Sequence, residues 1–109
     1  MEITFSDKDL ETLCLVAREQ QKLLGKAGAR KLRARYADLM AAERVSDLIV
    51  GHPHPLTGDR AGQFSVRLDG GCRLLFEPAH DPPPRRDDGS LDWQRVTAIR
   101  IVYIGDYHD

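Results

Sequence analysis

The hydrophobic positions change period along the chain, and each change marks a predicted element. Polar and apolar residues alternate in "EITF" (2–5), which predicts a short strand. Apolar residues then recur at helical spacing over 7–24 and again from about 29 to 43, while "GKAG" (25–28) interrupts them. Ser6 stands where a helix N-cap is expected. This part of the chain therefore predicts a strand followed by a helical hairpin.

The second half alternates with the period of a sheet. "QFSVRL" (63–68) and "CRLLFE" (72–77) each place apolar side chains on one face, and "DGG" (69–71) between them predicts a hairpin turn. "WQRVTAIRIVYIG" (93–105) is apolar on both faces. A strand that is apolar on both faces is buried on both, so we expect it inside the sheet.

The remaining segments predict connections. Residues 43–62 predict one short helical turn followed by loop, and the proline-rich, charged 78–92 predicts an exposed, mobile loop. The order β-α-α-β-β-β predicts an α+β fold of two layers, a mainly antiparallel four-stranded sheet with the N-terminal helical hairpin on one face. We expect a single domain that spans 1–109.

Composition agrees with a globular protein. Hydrophobic residues make up 41% and charged residues 30% of 109 residues. The sequence has no run of about 20 apolar residues that would span a membrane, and its start lacks the basic and apolar regions of a signal peptide. We therefore predict a cytoplasmic protein with no membrane partner. Cys14 and Cys72 are far apart and predict buried, reduced thiols rather than a disulfide.

The net charge of −1 conceals an asymmetry. Residues 18–36 hold seven Lys/Arg and one acid, for a net +6, and the rest of the chain sums to −7. A solvated helix face is the simpler interpretation of such a segment. The other is a surface that meets phosphate, and its candidates are Arg30, Lys31 and Arg33, which lie off the apolar stripe of the second helix.

Several kinds of site are excluded by their missing motifs. "GKAGAR" lacks the preceding strand and final Ser/Thr of a phosphate loop, and no GxSxG is present. The two histidines of "HPHP" (52–55) have no Asp, Glu or Cys pattern that completes a ligand set. We predict no metal and no cofactor, and His52 and His80 are interpreted as ordinary loop residues.

Three places carry residues suited to acid–base and phosphate chemistry. They are His54 and Arg60 in "HPLTGDRAGQFSV", Arg67 and Arg73 on the two hairpin strands, and Asp106, Tyr107 and His108 after the last strand. An imidazole moves protons near neutral pH, a guanidinium holds phosphate, and a tyrosine stacks on a base. Together they suit metal-free RNA cleavage by attack of a ribose 2′-OH on the adjacent phosphate. The alternative is structural charges on a sheet and a capped terminus.

These residues also carry a family resemblance. The matching positions are His54, Leu56, Gly58, Asp59, Arg60, Gly62, Phe64, Arg73, Phe76, Asp106, Tyr107 and His108. The pattern resembles the HigB-type toxins of the RelE/ParE toxin superfamily, whose motif runs His-x-Leu-Lys-Gly-(Asp/Asn)-Arg-x-Gly and ends in Asp-Tyr-His. Related genes are sometimes labelled plasmid maintenance system killer or killer suppression protein. The β-α-α-β-β-β order is also the order of that family.

The resemblance implies a ribosome-dependent endoribonuclease that cuts mRNA and is neutralised by a helix-turn-helix antitoxin. By position, His54 and His108 would form the acid–base pair, in an order that the sequence leaves open. Asp106 would orient or assist, Tyr107 would position the substrate, and Arg73 would stabilise the transition-state phosphate. The residues then expected to hold RNA are Arg60, Arg67, Arg30, Lys31 and Arg33.

Two departures keep other functions open. Thr57 replaces the motif lysine, and the pI is about 6.4, whereas positive charge is the main source of nucleic-acid affinity. The second hypothesis is therefore a non-catalytic or degenerate toxin-fold protein that acts by protein binding, as a ParE-like inhibitor or as an antitoxin partner. The third is an unrelated small α+β interaction module. The presence of both His54 and His108 favours the nuclease.

The order of residues at the last strand raises a geometric question. If the strand continued unbent, Asp106 and His108 would face one side and Tyr107 the other. A bend at Gly105 would instead bring His108 over the sheet toward His54.

Overall fold

A sheet with two helices on one face organises the chain. The structure, a computed structural model, describes residues 1–106. Within that range the elements are β1 (Glu2–Phe5), α1 (Lys8–Leu15), α2 (Ala17–Ala41), β2 (His54–Pro55), β3 (Phe64–Arg67), β4 (Cys72–Pro78) and β5 (Ala98–Asp106). The predicted α+β architecture of two layers is confirmed. None of the described helices is long and apolar enough to span a membrane.

The sheet of residues 1–106 has five strands in the order β1-β5-β4-β3-β2. β1 pairs in parallel with β5, and the other neighbours are antiparallel. β5 is internal, as its two apolar faces predict. The four-strand prediction is wrong by one strand, because the predicted loop 43–62 contains the two-residue β2. Two residues cannot show an alternation, and Pro55 is tolerated because β2 is an edge strand.

The helices break at positions that differ from the prediction. α1 ends at Leu15 because Val16 is extended, with φ −115° and ψ 111°. The buried Gln20 amide donates to the carbonyl oxygen of Cys14 at 2.9 Å, which satisfies a helix end that sequence periodicity does not reveal. Gly25, at φ 73°, interrupts α2 as predicted. The N-cap is Asp7 rather than Ser6.

The last strand begins later than predicted. Trp93–Arg95 form a 3-10 turn, and β5 starts only at Ala98. The Trp93 ring lies 4.9 Å from the Phe64 ring and 6.5 Å from the Phe76 ring, measured between centroids. The apolar run extends through the turn because Trp93 packs on the core from outside the strand.

The core lies between the helices and one face of the sheet. Its fully buried side chains include Leu32 and Leu39 of α2 together with Leu74 and Phe76 of β4. Leu75 is also fully buried, although it faces the other side of β4. Cys14 is buried as predicted, whereas Cys72 is only partly buried, so that part of the thiol prediction is wrong.

The proline-rich loop 78–92 is exposed as predicted, but it has its own hydrogen bonds. Arg85 and Leu91 form an antiparallel bridge, and the Arg86 amide donates to the Ser90 carbonyl at 2.8 Å. His80, interpreted from the sequence as an ordinary loop residue, has a structural role: its Nε2 accepts a hydrogen bond from the Thr97 amide at 3.0 Å. The loop is thereby fixed to the start of β5.

Candidate functional site

The strand register places the candidate residues in two rows on the sheet face opposite the helices. His54 pairs with Ser65, Ser65 with Leu75, and Leu75 with Tyr103. With a strand spacing of about 4.8 Å, the first row spans roughly 14 Å. In the next row Arg67 pairs with Arg73, and Arg73 with Gly105. We call this surface the open face.

Tyr103 is a site residue that the sequence interpretation missed. A register shift lies between Leu75 and Phe76, so that Phe76 pairs with Ile101 while Leu75 pairs with Tyr103. The bulge at Val102 therefore turns Tyr103 to the open face, whereas an unbroken strand would have put it with Ile101 over the core. Alternation alone cannot reveal a bulge, and this one determines which residues face out.

Arg60 lies against Tyr103. The carbon at the centre of the Arg60 guanidinium is 5.3 Å from the centroid of the Tyr103 ring, a cation–π contact. Arg60 ends the 3-10 turn Gly58–Arg60, which follows β2 and reaches over the sheet. The Tyr103 hydroxyl donates to the carbonyl oxygen of Asp106 at 3.2 Å. An aromatic ring and a cation thus lie together on the open face.

His54 is half-buried and held in one orientation. Its Nδ1 lies 2.8 Å from the carbonyl oxygen of His52, and the two imidazole rings are 4.7 Å apart. A carbonyl oxygen only accepts hydrogen bonds, so Nδ1 carries the proton and Nε2 of the neutral ring keeps its lone pair. His52 has φ 49°, which is left-handed rather than the extended backbone expected before proline. His54 is therefore oriented to accept a proton at Nε2.

The two strand arginines differ in their surroundings. Arg73 donates from Nη1 to the carbonyl oxygens of Gly70, at 3.1 Å, and Cys72, at 3.2 Å, so its guanidinium lies beside the β3–β4 turn. Arg67 is exposed directly across from it. The pair places two positive charges on adjacent strands of the open face.

Asp106 is not on the open face with the arginines. It pairs with Cys72, and a Cβ added to Gly71 would lie 2.9 Å from either carboxylate oxygen of Asp106. β5 continues through Gly105 to Asp106, so the hypothesis of a bend at Gly105 is wrong for the described chain. Tyr107 and His108, both predicted site residues, lie outside the described residues.

The remaining predicted RNA contacts are on the other layer. Arg30 and Lys31 are exposed on α2. Arg33 is also exposed, but its Nη1 donates to Gln20 Oε1 at 3.3 Å. These residues are therefore separated from the open face by the thickness of the domain, and only a large partner would contact both.

The chemistry of the described site rests on imidazole and guanidinium groups. Burial raises the pKa of the Cys72 thiol, and the Asp106 charge adds to the effect, so this thiol is not an activated nucleophile. No group of three or more His, Cys, Asp or Glu able to hold a metal occurs within residues 1–106. The arrangement suits binding an anion and moving one proton.

No protein-family model and no curated protein matches this sequence. Solved structures match over nearly the whole chain. A "YoeB/ParE toxin from Agrobacterium tumefaciens" has a TM-score of 0.57 and 16% identity, and the alignment covers 99% of this chain and 100% of that one. A YoeB dimer from Staphylococcus aureus has a TM-score of 0.56 and 19% identity, with 100% and 98% covered.

A third match is a YoeB-YefM complex from Staphylococcus aureus, with a TM-score of 0.57, 18% identity and coverage of 100% of this chain and 98% of that one. Identities this low establish the fold alone. The matches confirm the expected two-layer α+β fold, while membership of the RelE/ParE superfamily and the HigB subtype stay predictions. Along its whole length, the chain is similar in fold to YoeB/ParE-type toxins.

Proposed function

We propose that the protein is the toxin of a toxin–antitoxin pair and acts as a ribosome-dependent, metal-independent mRNA endoribonuclease. The observation that carries the proposal is the open face, where an oriented imidazole shares one sheet surface with three arginines and a tyrosine. They are His54, Arg60, Arg67, Arg73 and Tyr103. The similarity in fold to a YoeB/ParE toxin supports the role of a toxin.

The proposed reaction needs one base, one acid and a positive charge. Nε2 of His54 takes the proton of a ribose 2′-OH, and that oxygen attacks the adjacent phosphorus. The bond from phosphorus to the 5′ oxygen breaks, which leaves a 2′,3′-cyclic phosphate and a 5′-OH. His108 supplies the proton to the leaving oxygen, and Arg73 stabilises the charge on the phosphorane.

The other residues bind and position RNA in this proposal. Arg60 and Arg67 hold the backbone, and the Tyr103 ring stacks on a base. Tyr107 keeps the positioning role that the resemblance implies. Asp106 faces away from the open face, so of the two roles implied for it we keep orientation of the chain end and not assistance at the phosphate. On the opposite layer, three exposed basic residues in the middle of α2 contact ribosomal RNA, which accounts for positive charge on both sides of a small domain. They are Arg30, Lys31 and Arg33.

An antitoxin is the proposed protein partner. One matching structure is a complex, of YoeB with YefM, which supports a neutralising partner for this chain too. We expect a small helix-turn-helix protein encoded in the neighbouring reading frame. Co-expression of that protein should restore growth.

One observation favours the second candidate, a toxin-fold protein that acts by protein binding alone. A groove of about 420 Å³ lies on the helical layer, with Leu10, Leu13 and Ile104 along its apolar wall. Acidic residues, among them Asp9 and Glu19, line its rim. Such a groove suits a basic amphipathic helix of another protein.

Expression in a bacterial host separates the two candidates. We expect the wild-type chain to arrest growth and cleave ribosome-bound mRNA, leaving ends with a 2′,3′-cyclic phosphate. The substitutions His54→Ala, Arg73→Ala and His108→Ala should each relieve the arrest, because each removes a reacting or charge-stabilising group. Arg18→Ala is the matched control, since it removes one exposed charge from α2, away from the open face.

The outcomes are distinct. If folded wild type and all three variants are equally harmless or equally toxic, the nuclease proposal is wrong. If they are equally toxic and mRNA remains intact, action by protein binding is favoured. Circular dichroism of each purified variant checks that it is folded.

A further inference from the structure

A second groove lies across the edge strand β2 from the open face and is not used by the proposed reaction. It has a volume of about 610 Å³ and opens beside the edge strand β2. One side comes from the segment that follows His54 and includes Pro55, Ala61 and Gly62. The other side comes from the 78–92 loop, with Arg85 and Arg86, and Trp93 also lines the groove.

The arginine side of this groove is built by hydrogen bonds. Arg85 Nη1 donates to the Gly89 carbonyl at 2.9 Å, and the Arg86 amide donates to the Ser90 carbonyl at 2.8 Å. Arg95 Nη2 donates to the Arg85 carbonyl at 2.6 Å, which ties the loop to the turn that carries Trp93. The loop therefore presents its two arginines from a defined backbone.

Two acids near the groove, Asp88 and Asp92, already have partners. Asp88 Oδ1 accepts from the Ser90 amide at 3.0 Å and from its hydroxyl at 2.6 Å, and these bonds lower the pKa of Asp88. Asp92 accepts from Arg95 Nε at 2.8 Å, which lowers the pKa of Asp92. The charge of Arg86 also contributes to the lowered pKa of both carboxyls. Within residues 1–106 the Arg86 side chain makes no hydrogen bond, so its donors can still bind an anion.

The position of the groove indicates which anion. Pro55 follows His54 on β2 and pairs with the core residue Phe64, so it faces the other side of the edge strand. Ala61 follows Arg60, whose guanidinium contacts Tyr103 on the open face. A polyanion that crosses the open face and passes over the edge strand would enter the groove next. The half-buried Trp93 offers ring surface there, and stacking on an aromatic ring is how proteins hold unpaired bases.

We propose that this groove binds the single-stranded RNA next to the cleaved nucleotide, with Arg86 on a phosphate and Trp93 against a base. The inference rests on the proposed function, since it extends the path of the same substrate. The proline-rich loop 78–92 would then help to bind the RNA that flanks the cleaved nucleotide. A folded, hydrogen-bonded loop suits that role because little ordering is needed on binding.

Trp93 is the only tryptophan of the chain, so its fluorescence reports on this groove. The probe is a fluorescein-labelled RNA oligonucleotide with 2′-O-methyl groups, which the protein cannot cleave because the attacking hydroxyl is blocked. The full chain is titrated while label anisotropy and tryptophan emission are both recorded. Arg86→Ala is compared with Arg18→Ala, which removes the same charge from a distant exposed position.

We expect saturating RNA to change the tryptophan emission of the wild-type chain. Arg86→Ala should weaken binding about tenfold at low salt, the effect of one lost charged hydrogen bond. The slope of log affinity against log salt should become shallower by about 0.7, as for one phosphate contact on a single strand. Arg18→Ala should leave affinity within twofold of wild type.

Three results would overturn the inference. The label anisotropy could show that RNA binds while the tryptophan emission stays constant. The two variants Arg86→Ala and Arg18→Ala could also lose equal affinity. An acidic peptide such as polyglutamate could instead change the emission and displace the RNA, which would assign the groove to a protein. If the probe binds in this groove but mRNA with free 2′-hydroxyl groups is never cut, the inference holds and the nuclease proposal fails. If mRNA is cut but RNA does not change the tryptophan emission, the nuclease proposal holds and the inference fails.

Discussion

Gly105 tests the geometry of the open face without relying on any function. An added Cβ at position 105 would lie 2.7 Å from the hydroxyl oxygen of Tyr103 and 2.9 Å from its Cζ. Ordinary carbon contacts are roughly 3.5–4.0 Å, so Gly105→Ala forces the tip of the ring to move by roughly 1 Å. The backbone itself accepts alanine, because Gly105 lies in a strand and has no positive φ.

The expected change in the free energy of unfolding is small and is the sum of two lost contacts and one gain. Displacing the ring breaks the exposed bond from the Tyr103 hydroxyl to the Asp106 carbonyl, worth about 0.5–1.5 kcal/mol, and the contact with Arg60, worth about 0.5–1 kcal/mol. Alanine in place of glycine within a strand returns about 0.5–1 kcal/mol through lower chain entropy. We expect Gly105→Ala to lower the free energy of unfolding by about 1 kcal/mol.

A double-mutant cycle isolates the clash. In a Tyr103→Ala background the Cβ at position 105 no longer meets the ring, so Gly105→Ala should become slightly stabilising. The coupling energy between the two positions should be about 1–2 kcal/mol, measured by urea unfolding of the four proteins. If Gly105→Ala costs the same in both backgrounds, the ring does not lie over Gly105 and the described open face is wrong.

The other predictions concern the helical layer, a thiol and the core. Replacing Arg30 and Lys31 with Gln should weaken ribosome binding and flatten its salt dependence, and unchanged sedimentation with ribosomes would contradict the proposed contact. Burial raises the pKa of Cys14 from 9.0 to about 12, so the unfolded chain loses this proton first and stability falls as pH rises from about 9 to 12. Urea unfolding should show that decline in wild type and a smaller one in Cys14→Ala, with equal declines counting against the assignment. Phe76→Ala should cost about 3–5 kcal/mol, and a loss below 1 kcal/mol would mean that the site repacks.

Local patterns predicted most of the fold because the layers have clear periods. The hairpin around Gly70, the internal position of β5 and the break at Gly25 all follow from alternation and turn chemistry. The errors arise where tertiary contacts replace local ones. α1 ends at Leu15 because Gln20 satisfies its last turn, and Trp93 extends an apolar run without belonging to the strand.

The sequence predicted part of the candidate site because local patterns reveal the strands and the turn that carry its residues. The motif residues His54, Arg60 and Arg73 lie on one face because they are carried by one turn and by β2 and β4, the two strands that flank β3. Tyr103 was missed because the bulge at Val102 reverses which face of the sheet each later residue of β5 points to. For the same reason Asp106, expected near the arginines, points to the opposite face of the sheet from Tyr103. A single inserted residue in a pairing register is invisible to a pattern of period two.

The pI of about 6.4 does not argue against an RNA-binding open face. Charges are screened beyond about 10 Å at 0.1 M salt, so a bound phosphate responds to its near neighbours rather than to the net charge. On the open face those neighbours are Arg60, Arg67 and Arg73, while the acidic Glu77 farther along β4 is paired with Arg100 at 3.2 Å. The acidic remainder affects the approach of RNA instead, because long-range steering depends on the whole charge distribution. We therefore expect RNA to associate slowly with this protein at low salt. Once RNA is in contact, the three arginines should hold a phosphate strongly enough to position it.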